Sequence, residues 1–597
     1  MLRRLVGAIS SVGSYRQGFR AAGTPEEGQV AELVAAEMRS IGLAGIDLER
    51  VPVDGWRFRD ASLRVAGGRR YPCSSMAGSP ATRKGGVTGE LVYVGDGRRA
   101  RLEPLDLRGK IALIDWRVSS VGIGDLGLEL GNRGAAAVVM TSLEGGARFQ
   151  GADALGTGVS GWHAGAPPLA VLRKEDAVPL IERWQRKPPT VTVTVDIETN
   201  RRARGRNVVG VLGRELPGAP VVVGAHHDGW FSGAFDNASG VASVLTIARG
   251  LIESGWQPSR PVWFVSHTAE EFGSIDAELS WCMGAWHQVA VEHPDWGSSV
   301  PFYLDIEASG RREFPLLVLG PVELRRFAAR YCAMAKRAGM LPPRGWRFAT
   351  ASTGTHQWPF QLAGVPGLSV FNWHTEFRQT DYHTDKDTID RLDFDHLANL
   401  CRLDAALLVA AEAAGDGLLD YPARAGDVER ASDGLPDRRA LVSAARRYAK
   451  RGTRADFARL GRTAFAVGAD SEPGYLWAQA AADAAQLEQA LRALKAGDRG
   501  AAARAASRVG MNAMAGWVSQ DVQRTAERRW AAPRGSWAAK SHLTRSPNLW
   551  RELASIRGER GARPFGPWVA QSLEKQHAKM QAETRKRVGK VTAALRG

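Results

Sequence analysis

Residues 26–42 read EEGQVAELVAAEMRSIG, and Val30, Leu33, Val34, Met38 and Ile41 recur at helical spacing before Gly42. That pattern predicts an amphipathic helix with one face on a core and a glycine stop. From about residue 61 to 200 the texture changes to short β-rich runs separated by glycine, GELVYVG, GKIALID, GAAAVVMT and PPLAVL, closing on the alternating Val191, Val193, Val195 and Ile197. This predicts a small β-rich or α/β domain. After Arg206, APVVVGA, PVWFVS, FYLD and GLSVF read as buried strands, and Val241, Val244, Leu245, Ala248, Leu251 and Ile252 mark a helix beginning just after Asp236. Such alternation predicts a mostly parallel sheet with helices on both faces. Beyond about Gly415 the chain is rich in Ala and Arg, with helical spacing such as Leu487, Leu491 and Leu494 before Gly497. A separate helical domain is expected there, ending in a basic segment from Gln571 that is prone to fraying.

Length adds that 597 residues exceed what one hydrophobic core organises. The domains expected are an N-terminal part of the main domain (1–60), an insert (61–200), the main domain core (201–415) and a basic helical domain (416–597). No apolar run reaches the roughly 18–20 residues of a membrane helix. The start, MLRRLVGAISSVGSYRQGFR, lacks a secretory h-region and cleavage pattern, so a cytoplasmic protein is expected. Cys73, Cys282, Cys332 and Cys401 are far apart, which suggests neither a disulfide framework nor a thiolate zinc site. Any metal must then be held by nitrogen and oxygen. The net charge of +16 is uneven: from Tyr421 onward there are 33 Lys and Arg against 16 Asp and Glu, so the surplus lies in the C-terminal region. An Arg-rich solvated helical face accounts for it; attraction of acidic substrates or of a polyanion is the alternative, and nucleic acid is not the expected partner.

The candidate chemistry sits at the ends of the apolar runs. His226-x-Asp228 closes the first strand, Asp236 opens the following helix, Glu270-Glu271 ends the next strand, Asp305 ends FYLD, and His383 lies in the turn-rich DYHTDKDTID. Alone, an HxD is a surface pair or cap and an EE pair is a solvated turn. Together they form a ligand set for two metal ions. Asp228 would orient the His226 ring, and Asp236 would reach two metals with its two oxygens. Side-by-side carboxylates are costly without a cation, so Glu271 is read as a ligand, leaving Glu270 as general base. His227 reads as cleft wall and His267 as core.

GAHHDGWFSGAFDNASG, GWQPSRPVWFVSHTAEEFG, FYLDIEASG and YHTDKDTID resemble the successive signatures of the di-zinc aminopeptidase and glutamate carboxypeptidase II family. GKIALID, GAAAVVMT and PPLAVLRKEDAVPL resemble the protease-associated domain that some members insert. The likeness covers about residues 20–400. It implies a zinc-exopeptidase α/β fold with that insert and a C-terminal helical domain like one that dimerises in relatives. It further implies two Zn²⁺ per chain, one held by His226 and Asp305, the other by Glu271 and His383, with Asp236 bridging. Glu270 would move protons for a metal-bridging hydroxide, and Tyr382 would donate to the oxyanion or simply pack beside the metal loop. TGTHQWPF resembles a substrate-lining segment in which relatives often carry aspartate where His356 stands. The activity implied is hydrolysis of terminal bonds in a peptide or small amide, aminopeptidase ahead of carboxypeptidase or amidohydrolase. A non-catalytic scaffold like the transferrin receptor is the rival reading.

Overall fold

A computed structural model describes residues 1–16, 18–116, 122–143, 161–275, 277–435, 438–468, 472–531, 536–539 and 546–597. Its main sheet, among the described residues, comprises β1 (Ala44–Val65), β2 (Arg70–Cys73), β3 (Val87–Gly95), β4 (Ile111–Asp115), β5 (Ala137–Thr141), β6 (Leu169–Val171), β7 (Thr190–Leu212), β8 (Val221–His226), β9 (Val262–His267), β10 (Tyr303–Ile306), β11 (Leu316–Leu319), β12 (Trp346–Ala349) and β13 (Gly367–Asn372). The order is β12-β11-β13-β10-β8-β9-β7-β3-β4-β5-β6, with β1 on β7 and β2 on β1.

The central strands β9, β8, β10 and β13 are mutually parallel. Their near-continuous apolar sequence follows from burial on both faces. Val221, Val223 and Ala225 of β8 join one core with the helices Leu2–Ser10, Pro25–Ile41, Ser239–Glu253 and Phe394–Ala414, while Val222 joins the opposite core with Trp286, Trp358 and Phe360. The helix expected over 26–42 is Pro25–Ile41, capped by the Thr24 side chain and ended by left-handed Gly42, as the sequence signals require. Chain order runs from β8 to β9 on one side, then to β10 on the other. The carboxyl end of β8 is therefore a topological switch point, where open α/β sheets form their crevice.

The boundaries expected at 61 and 200 fall inside continuous strands. β1 and β7, of 22 and 23 residues, pair along their lengths, and β7 also pairs with β9 and β3. Between β1 and β7 in sequence, β3, β4, β5 and β6 are parallel, and alternate residues of β4, Ile111 and Leu113 against Ala112 and Ile114, feed cores on its two faces. Among the described residues, the C-terminal region is helical with one small two-stranded sheet, Phe465–Val467 with Pro473–Tyr475. Helix Arg438–Arg451 turns Leu441, Ala444, Ala445 and Tyr448 inward and exposes Arg439, Arg446, Arg447 and Lys450. The segment from Gln571 differs from expectation: it is the body of a 30-residue helix, Pro567–Arg596, anchored by Leu573, Met580, Val588, Val591 and Leu595. Its apolar positions bury against neighbouring helices, which overrides the charge that suggested fraying. No described helix is long and apolar enough to cross a membrane.

Candidate metal centre

β8 ends at His226, and the chain then passes through a loop to Asp236, whose peptide bond to Asn237 is cis. Asp236 stands between two histidines: its Oδ1 lies 3.2 Å from His226 Nε2 and its Oδ2 3.8 Å from His383 Nε2. Glu271 Oε2 is 2.9 Å from His383 Nε2, completing one triad. The other triad is His226, Asp236 and Glu307, with Glu307 Oε2 3.4 Å from His226 Nε2. Glu270 lies between them, its Oε2 3.9 Å from His226 Nε2 and its Oε1 3.3 Å from Cys282 Sγ.

Glu307 rather than Asp305 therefore faces His226. Asp305 and Glu307 are two apart on one side of β10. Asp305 pairs in parallel register with Gly224, so the residue level with His226 is two further on. Asp305 is instead held inside, accepting the Gln357 N–H at 3.3 Å and lying 3.3 Å from His356 Nδ1.

Asp228 has a fuller part than expected. Its main-chain oxygen, not its carboxylate, is the group within hydrogen-bond distance of His226 Nδ1, at 3.1 Å against 3.6 Å. The carboxylate accepts the N–H groups of Glu270 and Glu271, both at 3.1 Å, and so presents the two glutamates. Tyr382 stacks on the His383 ring at 3.8 Å between Trp373 and Phe377. His383 adopts φ +53°, a left-handed conformation that a non-glycine side chain takes only where its surroundings enforce it.

Several partners were missed from sequence. Asp387 accepts from Phe235 N and Asp236 N at 2.8 and 3.0 Å, fixing the Asp236 loop from beyond His383. Arg20, fully buried, donates to the carbonyls of His227, Ser232 and Gly233 at 2.7, 2.6 and 3.0 Å. Only the alternation DIE in FYLDIEASG signalled Glu307; nothing local signalled Arg20. His227 is not cleft wall: it is buried, bound to Glu27 Oε1 at 3.0 Å and near Ser266 Oγ at 2.9 Å. His267 is buried as expected, 3.1 Å from the Tyr303 hydroxyl.

The electrostatics follow from crowding carboxylates in a dry place. Burial, then Glu307 and Glu271, push the Glu270 carboxyl well up, and burial and Asp236 do the same to Glu271. Burial opposes charge on His226, but Glu270 and Glu307 outweigh it and raise the ring well above its usual range. Burial would likewise raise Glu307, yet His226 and His356 bring it down to about 2. Burial lowers His383 to about 4.

These residues fit two metal ions. His226 Nε2, the nitrogen that faces Asp236 and Glu307, is buried without a hydrogen-bond partner among the described residues. Donors about 2.0–2.1 Å from a tetrahedral zinc stand roughly 3.4 Å apart, and the separations of 2.9–3.8 Å bracket that value. Nitrogen and oxygen donors without thiolate suit zinc, and the four cysteines are buried and unpaired.

Fold and cluster define a mixed α/β protein with a buried centre of histidines and carboxylates suited to metal. Residues 207–408 match the model of Peptidase family M28, so the motif resemblance to the di-zinc aminopeptidases and glutamate carboxypeptidases is borne out over that segment. A probable glutamate carboxypeptidase of Zea mays is 27% identical over 339 residues, 45% of this chain and 47% of the relative. Transferrin receptor protein 1 of Gallus gallus is 26% identical over 248 residues, 38% of this chain and 30% of the receptor. The chain thus spans less than half the length of either. A zinc aminopeptidase from Bacillus subtilis shares the fold, with 21% identity, a TM-score of 0.52 and coverage of 69% of this chain and 95% of that one.

Proposed function

We propose that this protein is a di-zinc exopeptidase that hydrolyses terminal peptide bonds, an aminopeptidase ahead of a carboxypeptidase. The observation that carries the reading is Asp236, with one oxygen toward each histidine and a glutamate completing each triad. His226, Asp236 and Glu307 would hold one ion and His383, Asp236 and Glu271 the other, Glu307 taking the place expected of Asp305. Bound there, the ions would supply the Lewis acidity that activates a water and the scissile carbonyl.

The chain's own groups supply the rest. Cys282 fixes Glu270 Oε1, which leaves Oε2 turned toward the space shared by both triads. From there Glu270 takes the proton of the attacking water and returns it to the leaving amine. Asp228 keeps Glu270 and Glu271 in register by holding both N–H groups. Tyr382, stacked on His383, is the candidate donor to the developing oxyanion.

The name of the Zea mays relative favours carboxypeptidase chemistry and that of the Bacillus subtilis neighbour aminopeptidase chemistry. The likeness to a receptor raises the scaffold reading, and a complete ligand set with a poised base argues against it. Unpaired buried cysteines suit a reducing compartment, and we place the protein in the cytoplasm. A homodimer through the C-terminal helices remains part of this proposal.

Metal analysis should give two zinc per chain, and the protein should release residues from aminoacyl substrates in preference to N-acylated dipeptides. Glu270→Gln should keep both ions and lose about 10³-fold in kcat. A metal-free, well-folded protein or a fully active Glu270→Gln would refute the reading.

A further inference from the structure

A glutamate has one more rotatable bond than an aspartate, so as a ligand it must be held from behind to present one oxygen in one direction. Glu307 has such a support. Its Oε2, the oxygen toward His226, also accepts Asn237 Nδ2 at 2.9 Å. Its Oε1 is 3.1 Å from His356 Nδ1, and the same nitrogen is 3.3 Å from Asp305 Oδ1. Asp305 Oδ2 is taken by Gln357 N–H. Two buried carboxylates, neighbours on one face of β10, thus share one imidazole.

The His356 ring has no other polar use. Nε2 lacks a hydrogen-bond partner among the described residues, and one face stacks on His267 at 4.7 Å and 25°. An apolar side chain would fill that pocket equally well were filling all it required. What the imidazole adds is a donor aimed at Glu307 Oε1, with Asp305 on the far side of the same nitrogen.

We propose that His356, backed by Asp305, is a positioning residue that locks the Glu307 carboxylate for the metal shared with His226. This rests on the reading of Glu307 as a ligand. It gives TGTHQWPF a role behind the metal in place of the substrate-lining one expected, and gives Asp305 a role one step removed from the ion.

The test uses the full chain loaded with zinc, reading zinc per chain, zinc affinity by chelator competition, and melting temperature. Removing a residue that orients a metal ligand costs about 10–100-fold in affinity. His356→Ala should therefore fold, weaken one of two zinc sites by that factor and leave the other unchanged. His356→Asn, whose amide nitrogen can occupy the place of Nδ1, should recover most of the loss. Should His356→Ala fail to fold, Asp305→Asn/His356→Ala leaves a single carboxylate in the pocket and should show the same one-site weakening. Wild-type affinity at both sites in a folded His356→Ala or in the double variant, or equal weakening in the Ala and Asn variants, overturns the proposal. A third zinc lost only with His356 overturns it also, by making the imidazole itself a ligand. If Glu307→Ala retains two zinc at wild-type affinity, the ligand reading fails, whatever the His356 variants do.

Discussion

The two halves of the centre are built differently. Glu271 and His383 come from loops beyond β9 and β13, while His226 and Glu307 come from the ends of β8 and β10, which are hydrogen-bonded neighbours. In the loop half, a nitrogen-bearing ring and an adjacent glutamate pair stand out in sequence, and they meet as expected. In the strand half, two carboxylates with the same facing compete for one place, and pairing register selects the second. A motif in a loop announces its residue; a motif on a strand announces only a face.

The sharpest way to break this comparison is to exchange the fates of Asp305 and Glu307. Glu307→Ala is expected to fall from two zinc per chain to one and to lose about 10³-fold in kcat/KM or more, since removal of a charge-stabilising element costs that much in related chemistry. Asp305→Asn should keep both ions. Zinc counting that gave the reverse result would return Asp305 to the metal and dissolve the contrast between the halves.

Metal removal should act on both halves at once. A ligand that binds only the folded state stabilises it by about 3–4 kcal/mol at 100–1,000 times its Kd. Treatment with EDTA is expected to lower the melting temperature, and zinc to restore it. Under His383→Ala the shift on chelation should shrink, because the loop half no longer contributes; an unchanged shift would place the stabilising ions elsewhere.

A smaller effect is expected from the support common to both halves. Arg20 donates to three carbonyls of the loop between His226 and Asp236. Arg20→Met would leave buried acceptors unsatisfied, at about 1–3 kcal/mol each before water enters. The variant should be destabilised in urea and weaker for zinc at both sites. A loss confined to one site would show that the loop serves that half alone.

Much of this was legible because local physics and tertiary fold agree. The apolar runs of β8, β9, β10 and β13 are strands since both faces are buried, and Thr24 with Gly42 bounds its helix through its own capping groups. Glu270 and Glu271 were legible as a pair because side-by-side carboxylates at a strand end are costly without a cation. Arg20, Asp387 and Asn237 were illegible because each acts on main-chain groups or on a residue distant in sequence, with Arg20 and Gly233 213 positions apart. His227 was misread for the same reason, its partner Glu27 lying 200 residues away.

By itself, then, the sequence determined the fold class, the chemistry of the donors and which loops bring them, since periodicity, composition and turn residues are local properties. Only the tertiary structure decided which carboxylate of β10 meets His226, what holds it, and how the long paired strands β1 and β7 run on through one sheet. Those depend on the register between strands and on side chains that meet across hundreds of residues, which no local pattern encodes.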